Sequence, residues 1–330
     1  MTLHETQQSG VKLFYREAII RALREELTRD PKLLLFGQDI GTLGGSYREF
    51  KGLHGEFGAH RIRDMPIAEN IMVGLGVGAA AAGTRTLVNI TYMDFLMLAL
   101  DPLVNYGAKL KFKTGGQLRA PIVVKATAGA KGQGVVHSQC IESWLMGVPG
   151  LKVLAPSTPE DAYGLLKSAL REEGPVLYID HKRLFPTAGY VPLEETLAPI
   201  GYARLVRTGD HVTLCSHSYM MLPTLKAADT LAEKGIFCDV IDLRCLAPLD
   251  LQTICTSVAK TKNLVTIEEG QLTCGVGTEI AFRVREQVEV RKVARLGANP
   301  IPVSSSFVLE AAALPDAEKI YKTVQKMLLS

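Results

Sequence analysis

Three short stretches of this 330-residue chain carry side chains that could do chemistry. In "DMPIAENIMVGLGVGAAAAG", Asp64 to Gly83, a single glutamate, Glu69, stands ahead of a run of glycine and alanine. In "GVVHSQC" an imidazole, His137, shortly precedes a thiol, Cys140. Between them, "YMDFLMLALD" carries Phe95 on an apolar segment. A carboxylate can hold or pass a proton, an imidazole does so near neutral pH, and a thiol activated by an imidazole is a nucleophile. Each residue also has a plainer reading. Glu69 suits a surface acid at a helix start, His137 a hydrogen-bonded core residue or cap, Phe95 simple burial, and Cys140 a buried neutral thiol.

The glycine run imitates a dinucleotide fingerprint through Gly74, Gly76 and Ala79. Such a fingerprint follows an apolar strand directly, because its glycines bring a pyrophosphate to a helix N-terminus at the strand end. Here the preceding "IAENIMV" is helix-forming, and no acidic ribose partner closes a following strand. The better reading is a helix from near Pro66 to Ala82, with Gly74, Gly78 and Ala82 on one face. Each interior glycine costs about 1 kcal/mol against alanine, so this face is expected to meet another backbone closely, as between subunits.

The remaining composition narrows the classes. With 37 Lys+Arg against 34 Asp+Glu there is no broad footprint for nucleic acid or an anionic membrane. No apolar run reaches the roughly 18 to 20 residues of a membrane span, and the first residues do not read as a secretory signal. Lys109, Lys111 and Lys113 read as a solvated helix face. The cysteines at 140, 215, 238, 245, 255 and 274 form no C-x-x-C pair. They read as reduced core thiols in a cytoplasmic setting, with neither zinc nor a disulfide framework.

These residues need a scaffold, and the pattern supplies one: short β-rich runs alternate with helical ones, the mark of parallel α/β layers. "KLLLFG", "TLVNIT", "APIVVKAT", "LKVLAP" and "PVLYID" read as strands; "REAIIRALREELTR" and the capped "TPEDAYGLLKSALREEG" read as helices. "MDFLMLALDPLVNYGAKLKFK" reads as a helix made irregular near Pro102. A proline-rich stretch near 185–200 reads as a linker, and a second set follows, with strands in "HVTLCSH", "FCDVIDL" and "NLVTIEE". The expectation is two α/β domains, residues 11–185 and 201–330, joined by 186–200.

"RIRDMPIAEN", "TGGQLRAPIVV", "VVHSQCIESWLMGVPGLKVLAPSTPEDAYGLLKSALREEGPVLYID", "VIDLRCLAPLD" and "EEGQLTCGVGTEIA" resemble the beta chain of the thiamin-diphosphate-dependent 2-oxo acid dehydrogenase component. This is the pyruvate, branched-chain and acetoin dehydrogenase beta-chain family. The resemblance runs from about residue 13 to 328 and implies a transketolase-like pyrimidine-binding domain followed by a transketolase C-terminal domain. It implies thiamin diphosphate, with Mg2+ and the diphosphate held mainly by a separate alpha subunit. That alpha chain holds them through Gly-Asp-Gly and a later Asn; this sequence has only "TGDHV" at 208–212 and no complete motif of that kind.

By the same resemblance Glu69 matches the acid that hydrogen-bonds the cofactor's aminopyrimidine ring, and His137 the histidine that stabilises the carbanion intermediate or assists transfer to the lipoyl arm. Phe95 matches the aromatic neighbour of that ring. Thr91 stands where a Met often contacts the cofactor, and Leu98 where some members have Gln. A structural K+ site of some relatives maps to Ile122, Ala169, Leu170, Glu172 and Gly174, with Glu172 and Gly174 replacing Asp and Asn. The implied activity is oxidative decarboxylation of a 2-oxo acid with acyl transfer to a lipoyl-bearing acyltransferase, in an alpha2-beta2 heterotetramer. An acetoin-cleaving or acyloin-forming enzyme, or a noncatalytic assembly subunit of the same fold, remain the alternatives.

Overall fold

The computed structural model describes residues 10–329. A short strand, β1 (Val11–Phe14), passes directly into α1 (Tyr15–Arg29). Then come β2 (Leu34–Gly37), α2 (Leu53–Phe57), β3 (Ile62–Asp64), α3 (Glu69–Ala81) and β4 (Thr86–Ile90). A 3-10 segment, Met93–Ala99, and a π-helical turn, Asp101–Gly107, lead to α4 (Leu110–Lys113) and β5 (Ile122–Ala128). The first half closes with α5 (Ser143–Met146), β6 (Lys152–Leu154), α6 (Pro159–Arg171), β7 (Val176–His181) and β8 (Ala188–Val191). The second half runs β9 (Arg204–Arg207), β10 (Val212–Ser216), α7 (Met221–Ala232), β11 (Cys238–Asp242), β12 (Cys245–Ala247) and α8 (Leu251–Thr261). It ends with β13 (Asn263–Gln271), α9 (Val276–Gln287), β14 (Lys292–Ala298), α10 (Phe307–Ala313) and α11 (Ala317–Leu329).

The larger sheet has the order β12-β6-β7-β5-β4-β2-β3 and the smaller the order β14-β13-β10-β11-β9. Within each, all pairings are parallel except one edge strand, β12 on β6 and β9 on β11. β4, β5 and β7 are buried along their whole length, which explains their unbroken apolar reading: parallel strands covered on both faces need no polar side. Successive residues serve opposite layers. Leu87, Val123 and Tyr178 pack with α1 and α6, while Val88, Val124 and Ile179 pack with α3. That second core continues without a break into Leu246, Ile254 and Val276 of the second half.

Several local expectations need revision. The helix of the glycine run starts at Glu69, not near Pro66; Ala68 is its N-cap and the proline lies outside. Within 186–200 the chain is not featureless, since Ala188–Val191 pairs antiparallel with β1. The segment after β4 is not one helix. Pro102 lacks an N–H, and the Ala108 N–H reaches back to the Leu103 carbonyl at 2.8 Å, a π-type bond. Cys274 is exposed and Cys140 only half-buried, so four of the six free thiols are core residues. α6 is built as read: Thr158 accepts the Asp161 N–H at 3.1 Å and Pro159 opens the helix.

Candidate active site

In open α/β sheets, ligands lie outside the carboxyl ends of the strands. Those ends carry Thr91 after β4, the loop from Gly129 through His137 after β5, and Lys182 after β7. Glu69 comes from the neighbouring connection, as the first residue of α3, where the helix dipole favours an anion. The residue is 7% exposed. Among the described residues it makes no hydrogen bond or ion pair, although its neighbours Ile67 and Ile71 are open to solvent. A carboxylate with no partner in its own chain leaves its oxygens open to a donor from outside it.

The 3-10 segment packs against the start of α3, and the Asn70 Nδ2 donates to the Leu98 carbonyl at 3.3 Å. This ties the residue beside Glu69 to Leu98, whose side chain is exposed. Thr91 is buried, and its Oγ1 has no hydrogen-bond partner among the described residues. Phe95 is half-buried, and its ring meets the His137 imidazole edge-on, with centroids 5.4 Å apart. Tyr92 packs on the same imidazole at 4.4 Å and 88°. The structure thus joins Phe95 and His137 in one aromatic wall, to which Tyr92, not singled out in the sequence, contributes most closely.

The His137 loop is held by charges. Lys182 Nζ is buried and donates to the carbonyls of His137 and of Gly129, the latter at 2.8 Å. Asp94 Oδ1 accepts the N–H groups of Ser138 and Gln139, each at 3.2 Å. Both residues escaped sequence reading. The available signal was the polar "DHK" that ends an otherwise apolar strand.

Cys140 does pair with a histidine in space, but with His181 and not His137: Cys140, His181 and Glu269 bring one ligand atom each to within 4.8 Å of one another. The tautomer argues against both a metal and a nucleophile. His181 Nδ1 accepts the Arg183 N–H at 3.1 Å, so its proton sits on Nε2, which donates to Glu269 at 2.9 Å. Neither nitrogen is free to ligate or to deprotonate the thiol. Burial and the nearby Glu142 push the Cys140 thiol well above its ordinary value. Burial alone would raise Glu269, but His181 and the Ala130 N–H, at 2.6 Å, outweigh it and hold that carboxyl low.

The five residues mapped to a potassium site lie at the end of α6 and on β5. Arg85 Nη1 already donates to two of their carbonyls, Leu170 at 3.3 Å and Glu172 more closely. The Glu172 carboxylate pairs with Lys152 at 2.6 Å. A monovalent ion at these oxygens would share them with the guanidinium.

Two largely parallel sheets in sequence, each with one antiparallel edge strand, are the fold of the transketolase-type domains that the chain matches. The transketolase pyrimidine-binding domain family matches residues 11–187, and the transketolase C-terminal domain family matches 201–320. A split-gene transketolase described as an inactive beta4 tetramer superposes with a TM-score of 0.78, covering 96% of this chain and 98% of that one at 22% identity. The first of these families implies a thiamin diphosphate enzyme.

More particularly, the chain is 39% identical over 315 residues to the pyruvate dehydrogenase E1 component subunit beta of Rhizobium meliloti, covering 94% of this chain and 68% of that protein. It is 37% identical over 335 residues to the mitochondrial E1 beta subunit of Bos taurus, covering 98% and 93%. The chain belongs to the beta-subunit family of the pyruvate dehydrogenase E1 component, the 2-oxo acid dehydrogenases.

Proposed function

We propose that this chain supplies the pyrimidine-facing half of a 2-oxo acid decarboxylase site, completed by an alpha subunit in an alpha2-beta2 assembly, with a lipoyl-bearing acyltransferase receiving the acyl group. The observation that carries this reading is Glu69: shielded, without a partner in its own chain, and adjacent to an apolar face that is open. Pyruvate is the substrate named in the relatives and the first to test here.

The residues present fit thiamin diphosphate. Glu69 offers a carboxyl to a ring nitrogen, Thr91 an unpaired buried hydroxyl, and Phe95 and Leu98 apolar surface. When bound, the cofactor supplies the electron sink for breaking the bond between the carboxyl and carbonyl carbons. Glu69 would hold a proton at the pyrimidine ring, a task for a positioned carboxyl group. Thr91, Phe95 and Leu98 would orient that ring and exclude water, and His137 would move a proton during acyl transfer. Mg2+ falls to the alpha subunit.

For potassium, the support is the group of carbonyls at the α6 terminus; thermal unfolding in potassium against sodium buffer decides whether an ion joins Arg85 there. For location we propose the cytoplasm. No helix among the described residues is long and apolar enough to cross a membrane.

The test is Glu69→Gln reconstituted with the alpha subunit, following deuterium exchange at the cofactor's thiazolium carbon. Loss of exchange in a folded complex is expected; undiminished exchange removes Glu69 from the role. His137→Ala, assayed separately for decarboxylation and for acylation of a lipoyl domain, tests the second assignment: normal rates for both steps refute it.

A further inference from the structure

We propose that Lys182 and Asp94 are positioning residues that grip a single peptide unit, His137–Ser138, from opposite ends and so fix the imidazole against Tyr92 and Phe95. The inference rests on the role given to His137 above. The carbonyl of that peptide accepts from Lys182 Nζ, and its N–H is donated to Asp94 Oδ1. A cation sits at the negative end of the peptide dipole and an anion at the positive end. The two charges therefore act on orientation as well as on distance.

Three further observations support the clamp. Among the described residues neither Lys182 nor Asp94 forms a direct ion pair, so two buried charges are committed to backbone groups. Burying charge is costly and is offset in part by charge-assisted hydrogen bonds to this loop, Asp94 Oδ1 taking both amides while its Oδ2 has no partner among the described residues. Lys182 also anchors the loop's base through Gly129 at 2.8 Å, and its ammonium lies 5.2 Å from the Tyr92 ring centroid. That ring is the one meeting His137 at 4.4 Å, so one lysine orders both the backbone and the aromatic support of the imidazole. Burial holds the Lys182 pKa below the ordinary lysine value, and Asp94 is foremost among the groups pulling it back up, which places the two charges in one electrostatic unit.

The experiment uses Lys182→Met, Lys182→Arg and Asp94→Asn in the reconstituted complex. It reads hydrogen exchange over residues 131–142 together with kcat and KM for lipoyl-domain acylation. Lys182→Met and Asp94→Asn are expected to speed exchange in this loop about tenfold and lower kcat about tenfold, with KM for the 2-oxo acid little changed. Lys182→Arg, which keeps the charge, is expected to recover part of both. Unchanged loop exchange and kcat in folded variants overturn the clamp. Should the variants not fold, the wild-type complex still decides: slow exchange of the Ser138 and Gln139 amides supports it, and fast exchange overturns it. The two readings fail separately. If His137→Ala leaves acylation intact while Lys182→Met loosens the loop, the role of His137 is lost and the grip stands; if His137→Ala slows acylation and Lys182→Met does nothing, the reverse holds.

Discussion

Glu142 and His217 meet at 3.0 Å, both buried, where the chain following the His137 loop reaches the end of β10. They link the two halves of the molecule. Burial pulls the imidazole's pKa down, but the hydrogen bond and charge of Glu142 outweigh it and hold His217 above its ordinary value. A histidine raised in the folded state contributes stability that is complete below its unfolded pKa and is lost as pH rises through the folded one. Glu142→Gln is therefore expected to cost about 1.5–3 kcal/mol near pH 6, with the gap to wild type narrowing as the pH rises above the ordinary histidine range and through the raised folded pKa. Urea unfolding across that range measures it. A gap independent of pH would refute the linkage.

The Glu69 side chain makes no hydrogen bond or ion pair among the described residues, so its replacement should separate stability from activity. Glu69→Gln is expected to shift unfolding by no more than about 0.5 kcal/mol. Turnover with the alpha subunit is expected to fall about 10²–10⁴-fold. Calorimetry of the beta chain and steady-state assay of the complex read the two effects; a large loss of stability would mean that the acid is structural.

Two glycines of α3, two positions apart, predict opposite outcomes. A Cβ added at Gly78 meets nothing within 4 Å, whereas at Gly76 it lies 2.7 Å from Val88 Cγ2 and 2.8 Å from Ile122 Cδ1. Gly78→Ala is expected to stabilise the beta chain by about 1 kcal/mol, yet to weaken its association with other subunits, since the open face with Ile71 and Leu75 is where another backbone would approach. Gly76→Ala is expected to cost about 1–3 kcal/mol by overpacking. Thermal unfolding and sedimentation of the mixed subunits distinguish them.

Lys125 lies at the centre of β5 with its ammonium fully buried, 2.6 Å from Asp180 and 3.6 Å from Glu49, and it donates to Asn89 at 3.1 Å. Removing the cation leaves two carboxyl groups facing each other away from water. Lys125→Met is expected to cost about 3–5 kcal/mol, read from urea unfolding. A neutral result would mean that the carboxyl groups already share protons.

Residue pattern alone determined the layers. Apolar runs separated by capped helical periods predict β4, β5 and β7 as buried parallel strands, and the small residues before β4 predict a helix with one bare face. Both signals are local, set by side-chain period and backbone propensity within a dozen residues. The same locality explains the error at Pro66, and why the irregularity expected near Pro102 lies there in a form the pattern does not specify. Proline marks an irregularity, but neighbouring packing chooses its exact place and whether the chain answers with a cap or a π turn.

What the fold alone decided is which polar groups meet. Nothing in "IDHK" shows that Lys182 reaches the His137 carbonyl, nor in "MDF" that Asp94 takes the opposite end of the same peptide. β12 returns from the second half to the edge of the first sheet, a pairing too short to announce itself by alternation. Cys140 sits close to His137 in sequence and yet joins His181 and Glu269 in space. Periodicity records which face of an element avoids water. It carries no record of which partner a buried charge finds across the molecule, because that choice is made by the crossing of strands distant in sequence.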